Sequence, residues 1–312
     1  MRDTEARFNA LLNRMKPSLR KAFLNAINDI TQAADFDMLV RALENGDVDG
    51  AVRALRIGPE FYRPLENAIV DVYVKGGDYA VDTLPSTNPI TDTQMVIRFG
   101  IQSLRAQNWL REQSSRLIAE ITESQREAVR ERLASGLSEG RNPRSVALDV
   151  VGRYNPKTKV RSGGVVGLGS RDAKAVDNYR RKLLEEGRDG DQVDRMAKRY
   201  ASKLLRLRGE RIARTETIAA LNAGRFEAME QAIEDGEIAE DAIKKEWSTS
   251  RDGRERKSHS VLHRSKVRFR EAFQTINGSM LNFPGDRSLG ALAKDLINCR
   301  CTFKFIVDWT KA

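Results

Sequence analysis

The chain has 312 residues, 40% hydrophobic and 31% charged, with a formal net charge of +10. That length is enough for two or three domains with a real core, and the balance excludes a disordered polymer. No run of 18 apolar residues occurs, which argues against a membrane span.

Residues Arg7 to Ile30 carry apolar side chains at spacings of three and four, so they predict an amphipathic helix, with Pro17 set to kink or divide it. Asp37 to Leu55 predicts two short helices broken at Asn45-Gly46. Gly58-Pro59 opens another helix, expected to end at Gly76-Gly77, and Pro85 to Pro89 reads as a loop. A helix is expected from Thr91 to about Ile121. Thr122-Glu-Ser-Gln125 then reads as a capping box that starts a new helix ending near Gly136 or Gly140. Asn142-Pro143 starts a short helix to Val151, and residues 152–170 predict a loop or hairpin. Helices are expected over 171–187, 190–208 and 210–235.

The pattern changes near Gly236. Trp247 to Ser250, Val267 with Phe269, and Phe303, Phe305 and Val307 have strand character. The expected fold is therefore mainly α, a multi-helix body followed by a small C-terminal α+β module. The expected divisions are an N-terminal helical region (1–88), a helical body with a basic segment (89–235) and the module (236–312).

The positive charge is local. Residues 141–220 hold 20 Lys/Arg against 10 Asp/Glu, residues 251–270 hold 8 against 2, and the first 115 residues are near neutral. Such a surface attracts phosphate backbones or an acidic partner, although Lys and Arg also favour solvated helical faces. The candidate nucleic-acid contacts are Arg153, Lys157, Lys159, Arg161, Arg180, Arg181, Lys182, Lys198, Arg199 and Lys203. A dedicated reader of single strands by base stacking is not expected from this segment. The glycine stretch Gly163 to Gly169 lacks the lysine of a phosphate-binding loop and reads as a flexible connector.

His259 and His263 are the only histidines, and Cys299 and Cys301 the only cysteines. Two cysteines one residue apart exclude a disulfide framework. With a start (MRDTEARFNALLNRMK) that lacks an apolar leader core, they point to synthesis in a reducing cytoplasm. Histidines four apart share a helix face, and cysteines two apart share one side of an extended segment. Together they could hold a tetrahedral zinc ion, form a Cys–His nucleophilic pair oriented by Asp252, Asp286 or Asp295, or simply pack. Zinc is the one cofactor these residues suggest. Ser248-Thr249-Ser250 with Glu216 or Glu246 offers a further enzymatic comparison, with nucleotide-transferring toxins.

Four elements in order carry a resemblance: "RIARTETIAALNAGRFEAM" at 211–229, "EWSTSRDGRERKSHSVLH" at 246–263, "FPGD" at 283–286 and "NCRC" at 298–301. The C-terminal third thereby resembles the Mu F-like minor head proteins, or head morphogenesis proteins, of tailed bacteriophages. The matching positions are Arg214, Glu216, Trp247, Asp252, Arg254, His259, Asp286, Asn298, Cys299 and Cys301. The glycine that commonly follows the Ser-His element is replaced, since His263 is followed by Arg264. The resemblance implies a non-enzymatic virion protein with no catalytic residues. It implies association with the phage portal protein, other capsid or scaffolding proteins and packaged double-stranded DNA. The alternative is a nucleotide- or nucleic-acid-directed enzyme or toxin that uses the His/Cys module.

Overall fold

The computed structural model describes residues 2–251 and 253–311. Its helices are α1 (Arg2–Ala33), α2 (Phe36–Glu44), α3 (Val48–Ala54), α4 (Arg63–Thr83), α5 (Leu104–Ser138) and α6 (Pro143–Val151). A hairpin, β1 (Arg153–Asn155) with β2 (Val160–Ser162), precedes α7 (Ser170–Glu185) and the 45-residue α8 (Gly190–Glu234). Short elements follow: β3 (Ile243–Ser248), α9 (Lys257–Ser260), β4 (Lys266–Arg268), β5 (Phe273–Gln274), β6 (Met280–Leu281), α10 (Ala293–Leu296) and β7 (Thr302–Val307). The chain is mainly α with a small C-terminal α+β region, as its sequence predicts.

Local chemistry explains many boundaries. The Asn142 side chain accepts from the backbone N–H groups of Arg144 and Ser145, with Pro143 in the first turn of α6. Asp35 and Asp47 cap α2 and α3 in the same way, on either side of the break at Asn45-Gly46. The predicted hairpin forms with Arg153 opposite Ser162.

Five expectations change. Helix α1 is not divided at Pro17, and α4 runs through Gly76-Gly77. Residues 91–103 are not helical. The capping box at Thr122 does not form, because α5 is continuous and the Thr122 hydroxyl donates back to the Ile118 carbonyl at 2.9 Å. Helix α8 likewise continues through Gly209.

The chain divides into two compact units. The second comprises Lys21–Leu65 and Gln113–Glu210. Its core holds a salt-bridge hub: Asp149 accepts from Arg132 at 2.6 Å and Arg180 at 3.0 Å, and forms an ion pair with Arg141 at 2.7 Å. Arg132 also reaches Asp177 at 3.0 Å. The glycine stretch beside this hub is packed rather than flexible. Val165, Val166 and Leu168 are buried, and the Val165 and Val166 N–H groups donate to the carbonyls of Asp149 and Val150. A Cβ on Gly164 would lie 2.2 Å from the Val150 oxygen, so glycine is needed for that approach.

The first unit comprises Met1–Arg20, Glu66–Glu112 and Arg211–Ala312. Here α4 and α8 approach through facing glycines. A Cβ on Gly76 would lie 2.2 Å from the Leu221 oxygen, and one on Gly224 2.0 Å from the Tyr73 oxygen. This is why Gly76-Gly77 lies within a helix and does not end it.

The sheet of this unit has the antiparallel order β4-β3-β7, with Trp247 opposite Phe303 and Lys245 opposite Phe305. Phe226 of α8 stacks on Phe269 at 4.8 Å, and Phe303 meets Phe305 edge-on at 5.0 Å. Two cations are buried in this aromatic core. The Arg225 guanidinium lies 4.9 Å from the Phe8 ring, 5.3 Å from Tyr79 and 4.7 Å from Phe303, and donates to Thr302. The Lys245 ammonium faces Phe226, Phe269 and Phe273 and donates to the Asn282 carbonyl at 3.0 Å.

Candidate metal centre and basic cleft

Three short pieces of chain bring His259, Cys299 and Cys301 together. His259 sits on the single turn of α9, and its backbone N–H donates to the Arg256 carbonyl. Cys299 ends the turn after α10, and Cys301 leads into β7. Between α10 and Cys299, Asn298 adopts φ +59° and its N–H donates to the Thr215 hydroxyl of α8 at 2.9 Å. The turn carrying the cysteines is thus tied to the "RIARTET" helix.

Nδ1 of His259 lies 3.5 Å from Cys299 Sγ and 3.5 Å from Cys301 Sγ. All three residues are at most 2% exposed, and one ligand atom from each falls within 4.8 Å of the others. Trp247 packs edge-on against the imidazole at 5.3 Å. The far ring nitrogen, Nε2, stands 3.5 Å from Asp295 Oδ1, longer than a proper hydrogen bond. Asp295 is fully buried and held by four donors: Ser258, Asn277, Ser279 and Thr275. Burial alone would raise its pKa, but these hydrogen bonds outweigh burial and hold the carboxyl below its usual value. The neighbouring Cys301 sulfur and His259 lower the Cys299 pKa well below an ordinary thiol, while Cys299 and burial push Cys301 up.

His263 stands apart from this cluster. Helix α9 is too short to place residues 259 and 263 on one face, and His263 Nδ1 instead lies 3.2 Å from the Thr249 N–H and hydroxyl. Of the candidate orienting carboxylates, the fold selects Asp295. Asp286 is buried in its own loop, where it accepts from the N–H groups of Asn282 and Ser288. Asp252 lies outside the described residues. The sequence held Asp295 as one of three equal choices, because the groups that position it come from two segments distant in sequence, Ser258 and the 275–279 turn.

A cavity of about 240 Å³ opens beside the cluster. Arg214, Arg254, Glu255, Arg256, His259, Asn298, Arg300 and Cys301 line it. Glu216, two residues from Arg214, instead approaches Arg287 at 3.4 Å. Their i,i+2 spacing points the two side chains to different faces of α8.

The second unit carries a cleft of about 850 Å³ whose lining includes Arg161, Arg195, Lys198, Arg199 and Arg206. Arg161, Lys198 and Arg199 were expected to contact nucleic acid. Arg195 and Arg206 were missed, although their spacing on α8 puts them on the same helix face as residues 198, 199 and 202. Lys157, Lys159 and Lys203 are exposed, Arg181 donates to Asn178, and Lys182 approaches Glu186 at 3.9 Å. Arg153 and Arg180 are both engaged with Asp194, and Arg180 also with Asp149. Among the described residues no helix is long and apolar enough to cross a membrane.

Residues 177–304 match the family model described as Phage Mu protein F like protein. No curated protein and no solved structure matches the chain significantly. The matched range includes all of α8, β3, β4, the first half of β7, and the His259, Cys299 and Cys301 cluster.

Proposed function

We propose that this chain, which is Mu F-like over residues 177–304, is a minor capsid protein of a tailed phage that acts in head morphogenesis at the portal vertex. The family match carries the reading. In this role the protein works in the virion interior after assembly in the host cytoplasm, with the portal protein and other capsid or scaffolding proteins as partners. It contacts packaged double-stranded DNA, or DNA in transit during packaging or ejection, without reading its sequence. Two features support the DNA contact. The cleft's arginines and lysines can neutralise phosphates, and no base-stacking aromatic is among its lining residues. The region over 1–88 is proposed as a docking element for another capsid component. The test is mass spectrometry of purified virions and proheads, with micrographs of particles made without the gene. The expected result is a low-copy virion protein whose loss gives aberrant or DNA-deficient heads. Absence from both particle types overturns the reading.

The enzymatic reading has one observation in its favour, the Cys–His–Asp arrangement of Cys299 or Cys301, His259 and Asp295. Accessibility weighs against it. The sulfur with the lowered pKa, Cys299, does not line the cavity, while Cys301, which does, has its pKa raised by Cys299 and by burial. If His259→Ala and Cys299→Ala abolish a hydrolytic or transferase activity while phage yield and head shape stay normal, the enzyme reading wins.

A further inference from the structure

The His259, Cys299 and Cys301 cluster is too dense in donor atoms for ordinary core packing. A neutral imidazole has one lone pair and can accept one hydrogen bond. Here two sulfurs stand at the same 3.5 Å from Nδ1. Ligand distances near 2.0–2.1 Å for nitrogen and 2.3 Å for sulfur, at a tetrahedral angle, place nitrogen and sulfur about 3.5 Å apart around one zinc ion. The two observed separations match two edges of such a tetrahedron.

The surroundings supply what a metal-binding histidine needs. Asp295 Oδ1 stands 3.5 Å from Nε2, on the far side of the ring from the sulfurs, where a carboxylate favours a proton on Nε2 and a free lone pair on Nδ1. Four hydrogen bonds hold the carboxylate in place. Two thiolates balance the charge of one divalent ion within its own ligand set. The elements that meet here are also too short to persist alone: α9 and α10 have four residues each.

We propose that His259 Nδ1, Cys299 Sγ and Cys301 Sγ bind one Zn²⁺ ion, with Asp295 as the positioning residue behind the imidazole and a water molecule at the fourth corner, facing the arginine-lined cavity. The ion crosslinks α9 to the turn after α10 and to the residue before β7, 40 and 42 residues away in sequence. Its role is to hold the module together. His263, four residues from His259, is not a ligand. This inference is independent of the assignment to phage heads.

The test uses the full chain, purified without chelator and without a histidine tag. Native mass spectrometry and elemental analysis are expected to find about one zinc per chain. Co²⁺ replacement is expected to give thiolate-to-cobalt charge transfer and the intense d–d bands of a tetrahedral site. Cys299→Ser and Cys301→Ser are expected to abolish the cobalt spectrum, and Asp295→Asn to weaken metal affinity about 10- to 100-fold. His263→Ala is expected to keep the full spectrum. Should the serine variants fail to fold by circular dichroism, wild-type protein still decides, because chelation is expected to lower its melting temperature and zinc to restore it. The proposal is overturned if folded wild-type protein contains no metal and takes up no cobalt, or if it carries a Cys299–Cys301 disulfide. An unchanged cobalt spectrum in a folded cysteine variant also overturns it, as does loss of the spectrum in a folded His263→Ala.

Discussion

The two compact units bury arginine by opposite means. In the second, Arg132 is 3% exposed and meets two carboxylates, Asp149 and Asp177, while Asp149 is shared with Arg141 and Arg180. In the first, Arg225 is enclosed by Phe8, Tyr79 and Phe303, and its pKa falls to about 10 through burial. Lys245 lies in the same aromatic core, with burial lowering its pKa to about 8. An ion hub fixes geometry and tolerates no missing member, because each loss strands a buried charge. In the aromatic core it is burial that lowers the cations' pKa values, which brings Lys245 into a range where it can lose its proton.

The largest expected effect breaks the hub. Asp149→Ala leaves Arg132 and its neighbours short of a carboxylate and is expected to cost about 3–5 kcal/mol in urea unfolding.

The next tests the cage through pH. Lys245 has a folded-state pKa of about 8 against 10.5 unfolded. Below pH 8 both states are protonated and the full cost of burying the charge is present. Between pH 8 and 10.5 the unfolded state binds more protons, so stability rises with pH. The gain from this residue is on the order of 3 kcal/mol across that window. The difference between wild type and Lys245→Met in chemical denaturation should track this curve; a flat difference removes the cage as its cause.

Gly224→Ala forces a Cβ against the Tyr73 oxygen and is expected to cost about 1–3 kcal/mol by thermal unfolding, with no effect on the hub. The smallest changes concern the cleft. Arg195→Ala, Lys198→Ala and Arg206→Ala should each leave stability within about 0.5 kcal/mol. Each should lower the slope of log affinity for duplex DNA against log salt by about one. Unchanged slopes remove the cleft from the proposed DNA contact.

The same contrast explains what the sequence made legible. Local signals held where one residue acts on its own backbone: Asn142 caps α6, Asn45-Gly46 separates α2 from α3, and alternation at Phe303, Phe305 and Val307 gives β7. They failed where a partner distant in sequence decides. Gly76-Gly77 resembled a helix stop, but it makes the close approach to α8. Thr122-Glu-Ser-Gln125 resembled a start within a helix that continues. The convergence of His259 with both cysteines was one of several alternatives, whereas Asp295 and the burial of Arg225 had no signal in their neighbours' spacing.

The cage around Arg225 also bears on inheritance by exchange of gene segments. The recognisable stretch, 177–304, carries Arg225 and Phe303 but not Phe8 or Tyr79, and it lacks the glycines of α4 that face α8. A chimaera spliced at those limits would present a bare guanidinium and an uncovered helix to water unless the recipient supplied its own rings. Recombination that preserves this architecture must therefore carry the N-terminal helices along with the part that is easiest to recognise.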